Sequence, residues 1–286
     1  MSHVILCITL MLIGKTVGFI PHDVQTFSVC ATQRRSCQQT NEEILREIQS
    51  IAQELWKGDD TIIPTQASTE NSPHVQPLEG EAKLGEGTSI AQRAEYFKRE
   101  ALKGCPKSQH STGLLLWTGF AGVEEDADAS AKFHAAAASQ NHLDAMAVLG
   151  GCLRKGVGVK RNIALGLKII AFCASEGNPT GINKQAALLE ENQDDVGAVQ
   201  LYEKALEQNR VNALLLFNLG WCLVNGQGVK KKDAERGISL WKESVSLAPD
   251  GGSEEAAWFL YEEYIRDDPK EAKKWLDIAI ELGYKY

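Results

Sequence analysis

Val211-Asn212-Ala213-Leu214-Leu215-Leu216-Phe217-Asn218-Leu219-Gly220-Trp221-Cys222-Leu223-Val224 reads as one helix, Gly226-Gln227-Gly228-Val229 as a tight reversal, and Asp233 as the start of a second helix. The two glycines permit positive φ in the reversal, and the valine can tuck its apolar side chain beneath it. An aspartate cap follows because its carboxylate accepts one of the orphan N–H groups at a helix N-terminus. The stretch is therefore a helix pair closed by a glycine loop.

The second half of that unit recurs. Ser89, Asp126, Asn162, Asp194, Asp233 and Asp268 each stand fifteen positions ahead of Gly104, Asn141, Gly177, Asn209, Ala248 and Gly283. The former group are helix starters, and Gly and Asn accept the left-handed turn that ends a helix. The starts are 37, 36, 32, 39 and 35 residues apart, the period of an all-α solenoid of helix pairs. Eleven residues after the starters come Ala137, Cys173, Ala205, Ser244 and Ala279, all small. Seven or eight residues after them come bulky ones: Tyr96, Phe97, Phe133, Ile170, Tyr202, Trp241 and Trp275. Small sites admit a neighbouring helix and large ones fill the groove between units, so both sets are expected in the core. First helices are expected over Ala145 to Leu153, Lys184 to Glu191, Val211 to Val224 and Glu254 to Ile265.

Ala145 to Leu153, followed by Arg154-Lys155-Gly156-Val157-Gly158-Val159, resembles the first helix and loop of a Sel1-like repeat, a longer-looped relative of the tetratricopeptide repeat. Asn212-Ala213 to Leu219-Gly220, with Gly226-Gln227-Gly228-Val229 and Asp233, matches over a full unit. The segment Gly197 to Leu206 lacks the glycine loop and is closer to an ordinary tetratricopeptide second helix. The resemblance covers about residues 85 to 286. It implies a non-enzymatic adaptor or scaffold that binds other proteins on a concave surface lined by the first helices, in support of complex assembly or maintenance. The residues beside the Leu-Gly pair are then the partner-binding candidates: Asn218 and Trp221, Arg154 one Sel1-like unit earlier, and Trp117 in the first. Both tryptophans have packing as an alternative role. Self-association is the alternative function: the final helix, from Asp268 to Gly283, is expected to leave an outer face for a second copy or a fixed complex subunit.

Outside the array, Val4 to Gly14 is an eleven-residue apolar run with the length of a signal-peptide core. Thr16-Val17-Gly18 then offers small residues for cleavage, and Phe19 opens a Ser-, Thr- and Gln-rich segment to about residue 37 in which Asp23 is the only acid. This resembles the bipartite leader of proteins sent to secondary red plastids, with the ER lumen or secretion as the alternative. Residues 38–58 read as an amphipathic helix with a Leu45-Ile48-Ala52-Leu55 stripe, which either caps the array or meets a partner helix. Residues 59–88, with three Pro, three Gly and no apolar period, read as a linker.

Bulk composition excludes other classes. The chain of 286 residues carries a net charge of −8, and residues 37–286 alone carry 27 basic against 37 acidic side chains. An acidic body is a poor match for a nucleic-acid backbone. The seven cysteines include no CxxC pair, so no zinc site or disulfide framework is expected; Cys152 and Cys222, in equivalent positions, read as core. No cofactor is implied. Gly156-Val157-Gly158-Val159-Lys160 lacks the spacing of phosphate loops and joins two helices, and neither HExxH nor GxSxG occurs. His134 and His142 read as a coincidental pair rather than metal ligands, and the runs Lys160-Arg161, Lys230-Lys231-Lys232 and Glu124-Glu125-Asp126 as solvated loop surface.

Overall fold

A computed structural model describes residues 41–57, 90–119, 122–247 and 253–284. The expected leader, the expected linker and the caps Ser89 and Ala248 lie outside the described residues. The chain divides into a unit of Met1–Glu43 and a unit of Ile44–Tyr286, and the packing described below belongs to the second. Its helices are α1 (41–55, of which this unit holds the part from Ile44), α2 (Ile90–Leu102), α3 (Pro106–Thr118), α4 (Ala127–Ser139), α5 (Leu143–Lys155) and α6 (Ile163–Ser175). They continue as α7 (Pro179–Glu191), α8 (Asp195–Glu207), α9 (Ala213–Asn225), α10 (Ala234–Ser246), α11 (Ser253–Tyr264) and α12 (Pro269–Leu282). From α3 onward they pack as pairs, α3 with α4 through α11 with α12, and each first helix from α5 to α9 also touches the next first helix. The result is an all-α solenoid.

The expected caps set the boundaries. The side chains of Asp126, Asn162, Asp194, Asp233 and Asp268 all accept backbone N–H groups from the first turn of their helices. Gly104, Asn141, Gly177, Asn209 and Gly283 all turn with positive φ. First-helix boundaries follow a second set of caps that periodicity alone does not reveal: His142, Asn178 and Asn212. Helix α7 consequently starts at Pro179 instead of near Lys184, because the Asn178 carboxamide accepts from Gly181 N–H and Pro179 supplies the fixed φ of a first helical position.

Every small residue eleven positions past a described starter is at most 2% exposed. Of the bulky set, Tyr96, Ile170, Tyr202 and Trp241 are buried, whereas Phe97, Phe133 and Trp275 are only half-buried. Within the α5/α6 and α9/α10 pairs a glycine faces a glycine. A Cβ on Gly166 would stand 2.5 Å from the Gly150 carbonyl oxygen, and one on Gly237 would stand 2.7 Å from that of Gly220. The helix backbones touch there, so the paired axes approach as closely as two helices can.

Helix α1 docks on the array. Ile44, Ile48 and Ala52 are fully buried in one cluster with Ala135, Leu165 and Ile169 of α4 and α6, with Ile51 and Leu55 at its edge. Trp56 closes the contact: its indole Nε1 donates to the Lys132 carbonyl at 3.1 Å and its ring meets Phe133 edge-on at 5.4 Å. The apolar stripe is thus a packing face, and it lies along second helices rather than over the end of the solenoid. Ile48→Asp places a charge where the side chain is 0% exposed, a change that costs several kcal/mol at such a site. It is expected to release α1, with amide exchange in residues 41–55 rising to unprotected rates while α8 to α12 keep their protection. Unchanged protection of α1 would show that the stripe does not hold it.

Candidate partner-binding groove

The first helices present residues three or four apart on one face: Leu114 and Trp117 from α3, Val148, Gly151 and Arg154 from α5, and Lys184, Leu188 and Glu191 from α7. Together with Ile170 of α6 they enclose a cavity of about 310 Å³, at the lower end of ligand-pocket sizes. Its walls are mainly apolar and its polar groups are mainly cationic.

Two of the four sequence candidates meet in this cavity. Trp117 is 50% exposed, so packing does not consume its ring. Arg154 bridges two units through a bidentate pair with Glu191, at 2.8 and 2.9 Å. Asn218 lies farther along the same first-helix row. It is half-buried and donates to Asn183 Oδ1 of α7 at 3.3 Å. Trp221 is 37% exposed and leans edge-on against Phe259 of α11 at 4.9 Å. Each candidate except Trp117 also links neighbouring units, so in these positions packing and exposure coexist.

Sequence reading missed Lys184, whose side chain lines the cavity, with Nζ 3.3 Å from where a Gly151 Cβ would stand. Burial pushes its pKa down, and the positive Lys155 and Arg154 push the same way. The available signal was register: once Asn178-Pro179 starts α7, Lys184, Leu188 and Glu191 form an i, i+4, i+7 stripe facing the α5 stripe.

Under the groove, three histidines meet where sequence pattern suggests two unrelated ones. His110 Nδ1 lies 3.3 Å from His134 Nδ1, and the His110 ring stacks on His142 at 5.0 Å. Burial pushes all three pKa values down, His110 to about 4, and His134 Nε2 is buried with no hydrogen-bond partner. His142 Nδ1 is committed to capping Ala145 N–H. Burial also pushes the thiols of Cys152, Cys173 and Cys222 up, the latter two to about 12, so none is a thiolate nucleophile at neutral pH. Among the described residues, no three His, Cys, Asp or Glu side chains are placed to hold a metal ion, and no helix is long and apolar enough to cross a membrane.

A helix-pair solenoid with an amphipathic groove along its first helices is, as a class, a repeat scaffold. The Sel1 repeat family matches residues 106–142, 143–169, 190–209, 213–248 and 256–284, and the chain belongs to that family. Sel1 repeats are in general protein–protein interaction scaffolds and are typically non-catalytic. No curated protein matches the chain in sequence. In structure it is similar to immunity protein Pa5087 from Pseudomonas aeruginosa, with 19% identity over 73% of this chain and 84% of that one and a TM-score of 0.52. It is also similar to a Sel1 repeat protein from Oxalobacter formigenes, with 23% identity over 67% of this chain and 77% of that one and a TM-score of 0.48. These likenesses concern the fold.

Proposed function

We propose that this protein is a non-catalytic adaptor that holds a partner protein along its first-helix groove and so supports assembly or maintenance of a protein complex. The observation that carries the reading is the half-exposed Trp117 ring beside Arg154 and the cavity they share. An exposed aromatic and an arginine next to an apolar cavity have the composition of a binding hot spot. The leader supports a plastid as the place of action, or the ER lumen or the exterior if it is a plain secretory signal.

The test uses the tagged full-length protein in its own cells and an Arg154→Ala, Asn218→Ala variant. Both changes remove polar links at half-buried positions, so the helical circular dichroism should be unchanged. Recovery of the stoichiometric partner is expected to fall at least about tenfold, the size of effect that truncating hot-spot residues produces. Equal recovery by the folded variant would remove this groove from consideration.

A further inference from the structure

The Lys184 ammonium stands out among the charges of the array. Among the described residues, no carboxylate or carbonyl is bonded to it, and the side chains that act on it electrostatically are the Cys152 thiol, which favours the charge, and the positive Lys155 and Arg154, which oppose it. The carboxylate of the lining, Glu191, is already gripped on both oxygens by Arg154. Lys184 is half-buried and its ammonium has no protein acceptor, so a carboxylate brought from outside would give it a charge-assisted hydrogen bond that no group of the chain supplies. Around it stand the apolar walls Leu114, Trp117, Val148 and Ile170. The chain as a whole is acidic, at −8, so a cationic cavity runs against its background.

We propose that the cavity between α3, α5 and α7 is a carboxylate subsite: its walls take one bulky apolar side chain of a partner segment, and Lys184 takes the carboxylate carried beside it. This deepens the groove reading and rests on it. The charge balance explains the chemistry selected. Arg154 and Glu191 neutralise one another, leaving two cations in the lining: Lys155, which is exposed, and the half-buried Lys184, which has three donor hydrogens and no acceptor of its own. A neutral apolar residue would fill the walls and give the ammonium no acceptor. A carboxylate without an apolar neighbour would pair the ammonium and leave the walls wet. Only the two together satisfy both.

The test uses the full-length chain and two small probes, 3-phenylpropionate and its amide, which share a shape and differ in charge. Ligand-observed NMR titration is expected to give affinity at least tenfold higher for the acid, with the preference lost in Lys184→Met, which keeps the stem and removes the charge. Acetyl-Ala-Ala-Phe with a free C-terminus and acetyl-Ala-Phe-Glu-Ala-amide then separate the two sources of the carboxylate, a chain end or an acidic side chain. Acid and amide binding alike, an acid preference surviving in Lys184→Met, or no binding of any probe at millimolar concentration would each overturn the subsite. Partner capture by wild-type protein and its loss in the Arg154, Asn218 variant would persist in that case, so failure here is distinct from failure of the groove itself.

Discussion

Gly166→Ala is expected to destabilise the array by about 2–3 kcal/mol, while Gly151→Ala, one repeat helix away, leaves it unchanged or stabilises it by up to about 1 kcal/mol. On helix propensity alone both substitutions should help, since alanine is favoured over glycine in a helix interior by about 1 kcal/mol. Their surroundings separate them. The Gly166 Cβ would meet the Gly150 carbonyl oxygen at 2.5 Å and the Arg154 backbone nitrogen at 2.9 Å, whereas that of Gly151 would meet only the tip of the Lys184 side chain at 3.3 Å. A lysine tip moves aside; a helix backbone does not. The α5/α6 pair would have to separate, opening a seam that includes Leu149 and Ile169, both 0% exposed. Urea unfolding of the two variants checks this, and equal midpoints would show that the glycine contact carries no packing constraint.

Acidification is the second large effect. Lowering the pH from 7 to 4 is expected to cost about 3 kcal/mol through His110 alone. The folded pKa of His110 is about 4 against an ordinary 6.5, because burial and then the charge of His142 oppose protonation. The unfolded chain therefore takes up this proton first, so the stabilisation is complete above about 6.5 and is lost as pH falls through that value toward 4. His134 and His142 shift in the same direction and add to the loss. The groups facing the cluster are Lys107 from α3, Asp144 from α5 and Lys184 from α7. Burial by itself would raise the Asp144 pKa, but hydrogen bonds from Thr180 and Asn178 outweigh it, so this carboxylate stays charged into the acid range. One anion cannot offset three imidazolium ions. Urea unfolding at pH 7 and pH 4.5 should show a marked loss that is smaller in His110→Gln; stability independent of pH over that interval would overturn the assignment.

The candidate groove was legible in part, and the division follows how each residue acts. Trp117 and Arg154 were found because they sit beside a repeated Leu-Gly position, and repetition places them on one face of successive helices. Lys184 and His110 were not found because neither belongs to a repeated motif. Lys184 gains its character from Gly151 and Arg154, some thirty residues earlier in the chain. The triple contact of His110 with His134 and His142 joins three helices through side chains of one unit and the next. Asn218 was read as a partner-binding candidate, and one of its two amide hydrogens is spent on Asn183.

What the sequence by itself determined is the repeat: where second helices begin and end, which loops need glycine, and which small and large positions face inward. These are local properties, set by capping, φ preference and helical period, and they recur often enough to be read against one another. Only the tertiary structure decided which glycines touch, that α1 lies along α4 and α6, and which charges are left without a counterpart. Those outcomes depend on distances between segments far apart in the chain, and a side chain's pKa or exposure is a property of what packs around it.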